Sequence, residues 1–144
     1  MSTNKKVYIF LVDDDPMYLK LLNSELSEKT EYVIATFSTG ERCLESLSER
    51  PDIVVLDYYL NGIEKNALNG SETLTRIKAE YPDLPVIMLS AQDKIEVAVN
   101  CMKLQAFEYI VKSETALARL HSSIATMLHY RKMEKTLSWY MEKL

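Results

Sequence analysis

The chain has 144 residues, 47% of them hydrophobic and 26% charged, and this balance is typical of one folded domain. Seventeen Lys and Arg against 21 Asp and Glu give a net charge of −4, which argues against direct nucleic-acid binding, since phosphate backbones are bound by basic surfaces. No apolar run approaches the ~18 residues of a membrane-spanning helix. The two cysteines form neither a metal motif nor a disulfide framework. We therefore expect a cytoplasmic protein without membrane contact.

Five short apolar segments alternate with helical patterns along the chain. Most are continuously hydrophobic, which is typical of strands in a parallel sheet covered on both faces. The segments are Val7–Val12, Tyr32–Phe37, Ile53–Leu56, Val86–Leu89 and Tyr109–Val111. Five repeats of strand then helix predict a doubly wound α/β fold of three layers, because the crossovers between parallel strands are right-handed.

The predicted helices begin at recognisable signals. Asp15 and Pro16 predict the N-cap and the first position of the first helix. Ser38 followed by Glu41 matches the capping-box pattern and predicts the start of the second helix. The third helix is predicted to begin near Ser71 and the last near Ser113. The fourth is predicted to contain Val97, Cys101 and Leu104.

The last helical pattern continues to the end of the printed sequence and changes phase on the way. A first apolar stripe ends at Met127, and a second consists of Tyr130, Met133, Leu137, Tyr140 and Leu144. The alternating spacing of three and four residues in the second stripe is typical of a helix that pairs with another copy or connects to a further domain. We therefore expect a domain over residues 1–128 and a linker or dimerisation helix over residues 129–144.

Polar residues stand where four of the predicted strands end. Asp13 and Asp14 follow the first strand, Asp57 the third, Ser90 the fourth and Lys112 the fifth. The carboxyl ends of parallel strands share one edge, so these side chains are expected to meet there. Crowded carboxylates repel each other, whereas Mg²⁺ binds one or two carboxylates together with phosphoryl oxygens. The isolated Asp57 is the candidate nucleophile, which would form an acyl phosphate.

These residues resemble the receiver domain of two-component response regulators, which has the CheY-like fold. The resemblance lies in the segments FLVDDDP, DIVVLD, VIMLSA and EYIVK, in this order, and extends over roughly residues 5–128. It implies a flavodoxin-like, five-stranded parallel sheet of order 2-1-3-4-5 with five helices, the last one extended.

The resemblance also implies a chemistry. A phosphohistidine of a sensor histidine kinase or phosphotransfer protein would donate its phosphoryl group to Asp57. Mg²⁺ would bind Asp13, Asp14, Asp57 and the backbone carbonyl of Tyr59. The domain would catalyse its own phosphorylation and dephosphorylation without being a turnover enzyme.

Three further residues receive roles from the resemblance. Lys112 and Ser90 would contact the phosphoryl group, so they count with Asp57 as catalytic. Ser90 and Tyr109 would form the switch that alters the surface of the fourth helix, fifth strand and fifth helix. This change would signal to a partner or to an output domain that follows residue 144.

The sequence departs from the family pattern in three places. The segment 61–69 carries about five extra residues, Ser113 replaces a proline, and Tyr59 places a bulky ring beside the acceptor.

Other functions are alternatives for the same residues. A phosphatase of the haloacid dehalogenase type would need an aspartate where Tyr59 stands. An FMN-binding flavodoxin would need a phosphate loop in place of DDDP. A pseudo-receiver, which binds partners without being phosphorylated, remains the open alternative.

Overall fold

The computed structural model describes residues 5–60, 62 and 66–144, in which strands and helices alternate. The strands are β1 (Val7–Val12), β2 (Tyr32–Phe37), β3 (Ile53–Asp57), β4 (Val86–Ser90) and β5 (Glu108–Val111). The helices are α1 (Pro16–Leu26), α2 (Gly40–Glu45), α3 (Gly70–Glu80), α4 (Ile95–Lys103) and α5 (Ala116–Lys143), with a 3-10 turn at Leu47–Glu49 after α2.

The five strands form one parallel sheet in the order β2-β1-β3-β4-β5. In the registers of this sheet, Ile9 pairs with Ile34 of β2 and with Ile53 of β3. Every residue of β3 and β4 is buried, which explains why their sequences are continuously apolar. The predicted flavodoxin-like fold, with its strand order and five α-helices, is confirmed.

Two hydrophobic cores lie on the two faces of the sheet. Successive side chains of a strand point to opposite faces, so Ile9 and Leu11 of β1 join the core under α1 and α5. Phe10 and Val12 join the core under α2, α3 and α4. Both cysteines of the chain are fully buried in this second core. The sheet is therefore held rigidly from both sides, which fixes the positions of its strand ends.

The predicted start of α2 was wrong by one residue. The N-cap is Thr39 rather than Ser38, because the Thr39 hydroxyl accepts the backbone N–H of Arg42, three residues further on. Glu41 does not complete a capping box, since its carboxylate accepts the backbone N–H of Leu68 instead.

The start of α3 agrees with the prediction to within one residue, whereas the start of α5 differs by three. The helix expected near Ser71 begins at Gly70, after an Asn69 N-cap that forms a capping box with Glu72. The helix expected near Ser113 begins at Ala116, because the backbone N–H of Ala116 closes a turn on the Ser113 carbonyl.

Helix α5 continues without interruption to Lys143. Its first part is buried through Leu120, Ile124 and Met127, whereas the second apolar stripe is exposed. Arg131 ties the helix to the start of β3 by a 2.8 Å ion pair with Asp52. No helix in the described ranges is long and apolar enough to cross a membrane. The boundary at residue 128 stays a prediction.

Candidate functional site

The carboxyl edge of the sheet brings together residues from four strands. Asp13 directly follows β1, Asp57 ends β3, Ser90 ends β4 and Lys112 directly follows β5. The rim is continuous because strand pairing reaches its last residues, and the backbone N–H of Lys112 donates to the Ser90 carbonyl at 2.7 Å. The Asp13, Asp57 and Ser90 side chains are all buried.

Lys112 pairs with two of the carboxylates of the site, Asp13 and Asp57. Its Nζ lies 2.8 Å from Oδ2 of Asp13 and 3.5 Å from Oδ2 of Asp57, and the Lys112 side chain is 15% exposed. Burial alone lowers the pKa of Lys112, but the hydrogen bond to Asp13 and the charges of Asp57 and Asp13 raise it overall. The ammonium is therefore charged at neutral pH. The peptide bond from Lys112 to Ser113 is trans.

Three carboxylates form a group that suits a hard cation. Asp13, Asp14 and Asp57 each offer an oxygen within 4.8 Å of the others. Burial, followed by the charge of Asp13, raises the pKa of Asp57 from 3.8 to about 7, although Lys112 and the backbone N–H of Tyr59 oppose this rise. A single ammonium therefore does not fully compensate the carboxylates. All-oxygen donors with excess negative charge fit a divalent cation such as Mg²⁺.

The segment after β3 reaches back to this group. The backbone N–H of Tyr59 donates to Oδ1 of Asp57 at 3.4 Å, while the Tyr59 ring is exposed and packs edge-to-face on Tyr58. The backbone N–H of Gly62 donates to Oδ2 of Asp14 at 3.0 Å. Four of the nine residues of the segment 61–69, residues 61 and 63–65, lie outside the described residues. Binding of a metal by the Tyr59 carbonyl stays a prediction.

The glycine at position 70 is required by the site's backbone. A Cβ at Gly70 would lie 2.4 Å from the carbonyl oxygen of Asp57 and 2.5 Å from the Cα of Tyr58. Only glycine lets α3 begin this close to the end of β3. The start of α3 thereby supports the backbone of the candidate phosphate acceptor.

The two predicted switch residues meet at one residue of the loop after β4. The Ser90 hydroxyl accepts the backbone N–H of Gln92 at 3.1 Å. The Tyr109 hydroxyl donates to the Gln92 carbonyl at 2.6 Å, and the ring is half-buried. Burial raises the pKa of Tyr109, so its hydroxyl stays protonated and able to donate this bond. A displacement of Ser90 would therefore break its hydrogen bond to Gln92, the residue that also holds the Tyr109 hydroxyl.

Two contacts at the site were not predicted from the sequence. One is the hydrogen bond from Gly62 to Asp14. The other is the ring of Tyr18, whose centroid lies 4.3 Å from Nζ of Lys112. The only sequence signal for the second contact is an aromatic residue in the first turn of the helix that follows the acidic segment.

The comparison with protein families agrees with the site. The family model of the response regulator receiver domain matches residues 9–125. The chain belongs to this family. Receiver domains bind Mg²⁺ at an acidic pocket and interact with histidine kinases or phosphotransfer proteins. The resemblance noted in the sequence is thus confirmed, and this chain contains a receiver domain of the two-component type.

Several curated proteins are similar to this receiver domain. A protein-glutamate methylesterase/protein-glutamine glutaminase of Bacillus licheniformis is 32% identical over 116 residues, which are 78% of this chain and 31% of the relative. The nitrogen assimilation regulatory protein NtrX of Azorhizobium caulinodans is 35% identical over 105 residues, which are 72% of this chain and 22% of the relative. The chain thus spans less than a third of these relatives.

Solved structures show the same fold. NtrX from Brucella abortus superposes with a TM-score of 0.81 at 28% identity, over 96% of this chain and 31% of the other. The receiver domain of a putative LuxO repressor protein from Vibrio parahaemolyticus superposes with a TM-score of 0.79 over 92% of this chain and 97% of the other. The identity to the latter is 22%, so that likeness concerns the fold alone.

Proposed function

We propose that this receiver domain accepts a phosphoryl group on Asp57 from a phosphohistidine of a sensor histidine kinase or phosphotransfer protein. The bond between phosphorus and the imidazole nitrogen breaks as a bond forms to a carboxylate oxygen of Asp57. The imidazole keeps the electron pair of the broken bond and takes up a proton. The observation that carries the proposal is the convergence of Asp57 with Lys112 and two further carboxylates at one edge of the sheet.

Each residue of the rim has a task in this transfer. The Lys112 ammonium is fixed beside Asp57 and offers positive charge to the incoming phosphoryl oxygens. The Ser90 hydroxyl is a donor for the same oxygens once the group is attached. Asp13, Asp14 and Asp57, with the Tyr59 carbonyl, would hold Mg²⁺. When bound, Mg²⁺ supplies the charge that neutralises the phosphoryl group.

The signal would leave the site through the loop after β4. A phosphoryl group that draws the Ser90 hydroxyl toward Asp57 removes that hydroxyl from the backbone N–H of Gln92. The Tyr109 hydroxyl is held by the carbonyl of the same residue. Ser90 and Tyr109 therefore act as the switch, and the surface of α4, β5 and α5 changes as a shift between two populations.

We further propose that residues 1–128 form the receiver and residues 129–144 a linker or dimerisation helix. The exposed apolar stripe on this part of α5 keeps heptad spacing, and such a stripe is buried when two helices pair. Two copies would therefore associate through their last helices. The proposal includes a cytoplasmic location and no direct nucleic-acid contact by this segment.

The experiment for phosphorylation compares three proteins by intact mass. Wild type, Asp57→Asn and the control Asp52→Asn are incubated with acetyl phosphate and Mg²⁺. Wild type and Asp52→Asn should each gain one phosphoryl group, and Asp57→Asn should gain none. If the wild type gains no mass with acetyl phosphate, and none when beryllofluoride replaces it, the pseudo-receiver is favoured. A pseudo-receiver binds partners without being phosphorylated.

The experiment for dimerisation changes one residue of the stripe. Leu137→Glu should shift the chain to a monomer in sedimentation equilibrium, because a carboxylate at the centre of the stripe cannot be buried in a helix pair. Ser138→Glu, one residue away on another face, is the control and should leave the mass unchanged. A wild type that is monomeric at all concentrations would leave the connecting role as the function of this helix.

A further inference from the structure

Helix α1 places an aromatic ring against the ammonium of Lys112. The centroid of the Tyr18 ring lies 4.3 Å from Nζ of Lys112, within the ~6 Å range in which a cation is attracted to the face of an aromatic ring. The same ammonium contacts Asp13 and Asp57. The ammonium is thus in contact with two carboxylates and with an aromatic ring. Because Lys112 is largely buried, water weakens this contact little.

A chain of hydrogen bonds fixes the position of this ring. Oδ1 of Asp13 accepts the backbone N–H of Asp15 at 2.9 Å. Oδ1 of Asp15, the N-cap of α1, accepts the backbone N–H groups of Met17 and Tyr18 at 3.0 and 3.4 Å. Lys112 then binds Oδ2 of Asp13 at 2.8 Å. The carboxylate of Asp13 therefore contacts both the N-cap of α1 and the Lys112 ammonium. This shared contact fixes the position of the Tyr18 ring relative to the ammonium.

The ring is suited to this contact in its neutral form. Burial raises the pKa of the Tyr18 hydroxyl, the charge of Lys112 lowers it, and the charges of Asp13 and Asp57 raise it. The phenol is therefore protonated at neutral pH and makes no salt bridge with the ammonium. What remains is the attraction between the ring face and the cation, which phenylalanine would share.

We propose that Tyr18 is a positioning residue that holds the Lys112 ammonium beside Asp57 for phosphoryl transfer. A long lysine side chain has several rotatable bonds, and it loses charge contact with the acceptor if it swings away. The ring restricts the ammonium to the side of the site where the phosphoryl oxygens arrive. This role rests on the proposed phosphorylation of Asp57.

The test compares Tyr18→Phe and Tyr18→Leu in the complete chain with acetyl phosphate and saturating Mg²⁺. Tyr18→Leu should lower the phosphorylation rate constant by about 3- to 30-fold, the range that a cation–π contact supplies. Tyr18→Phe should keep most of the wild-type rate constant. Leu21→Ala, an exposed position on the same helix, is the control and should react like the wild type. In a Lys112→Met background, Tyr18→Leu should cause no further loss.

A spectroscopic measurement distinguishes positioning from simple packing. The ring current of Tyr18 should move the Lys112 side-chain proton resonances upfield in wild type and Tyr18→Phe, and this shift should vanish in Tyr18→Leu. An absent shift in the wild type overturns the proposal, as does an unaltered rate in Tyr18→Leu. A rate loss in Tyr18→Phe equal to that in Tyr18→Leu assigns the effect to the hydroxyl and also overturns it.

The experiments distinguish a failure of Asp57 phosphorylation from a failure of the positioning role of Tyr18. If the wild type is not phosphorylated, the proposed function fails, while the proton shifts still test the contact between Tyr18 and Lys112. If Tyr18→Leu does not fold, the rate of Tyr18→Phe and the wild-type shifts carry the test. If the wild type is phosphorylated and the shifts are absent, only the positioning role is lost.

Discussion

Replacement of Asp57 by Asn should change how the stability of the metal-free protein depends on pH. Asn has nearly the shape of Asp but no charge, and the Asp57 residue is only 5% exposed. Burial and the charge of Asp13 raise the pKa of Asp57 from 3.8 to about 7. A carboxyl whose pKa is higher in the folded state stabilises the fold while it is protonated. That contribution is complete below pH 4 and is lost as the pH rises toward 7.

The size of the effect follows from the two pKa values. One pKa unit corresponds to about 1.4 kcal/mol, so the shift of Asp57 from 3.8 to about 7 amounts to roughly 4 kcal/mol. About 3 kcal/mol of this falls between pH 5 and pH 8. Relative to Asp57→Asn, the wild type should lose this much stability over that range. Titrating groups that do not contact Asp57 are the same in both proteins and cancel in the difference.

The assay is urea unfolding of both proteins in EDTA at several values between pH 5 and pH 8. Addition of Mg²⁺ at pH 8 should then stabilise the wild type by about 3 kcal/mol at a concentration of 100 times the dissociation constant, and Asp57→Asn by much less. A stability difference that stays constant from pH 5 to pH 8 would show that Asp57 ionises near its ordinary pKa. The charge of Asp57 would then be compensated in the metal-free site.

Three further substitutions test the backbone of the site and the division of α5. Gly70→Ala should destabilise the fold by about 2 kcal/mol or more, because its Cβ would meet the Asp57 carbonyl at 2.4 Å; a gain in stability, as at an unstrained glycine, would contradict the close approach. Leu120→Ala, in the fully buried part of α5, should cost about 2–5 kcal/mol in urea unfolding. Leu137→Ala, in the exposed part, should cost less than about 0.5 kcal/mol in the monomer, and equal losses would refute the assigned boundary.

The strands and the rim could be predicted because their signals are local. A buried parallel strand is a short apolar run, and the residue that follows it lies at the carboxyl edge of the sheet. Asp13, Asp57, Ser90 and Lys112 could therefore be assigned to one edge without knowledge of the packing. The lower predictability of helix starts has a physical cause. Ser38 and Thr39 are both good N-cap residues, and the choice between them depends on the path of the chain into α2.

Contacts between distant elements could not be predicted in the same way. Glu41 leaves its expected capping role because Leu68, 27 residues away in sequence, offers it a backbone N–H. The contact between Tyr18 and Lys112 depends on the rotation of α1 about its axis and on the rotamer of a lysine that follows the last strand. Hydrophobic periodicity identifies the face of α1 that is buried, but it does not say which side chain meets an ammonium.

The charge balance of the site couples metal binding to the state of the nucleophile. Three ionised carboxylates and one ammonium would leave two negative charges uncompensated, and the raised pKa of Asp57 means that this carboxyl keeps a proton near neutral pH instead. A protonated carboxyl is a poor nucleophile, so Asp57 should be fully ionised and fully reactive at neutral pH when a divalent cation occupies the site. Its proton must then be released on binding.

This coupling can be measured as proton release. Calorimetric titration of the protein with Mg²⁺ in two buffers of different ionisation enthalpy should give roughly 0.9 protons released per bound ion at pH 6 and roughly 0.1 at pH 8, from a pKa of about 7. Asp57→Asn should release almost none at either pH. No release by the wild type at pH 6 would mean that Asp57 is already ionised in the metal-free protein. The cation would then assist only the phosphoryl group and not the nucleophile, and the lysine with its aromatic neighbour would suffice to keep the acceptor charged.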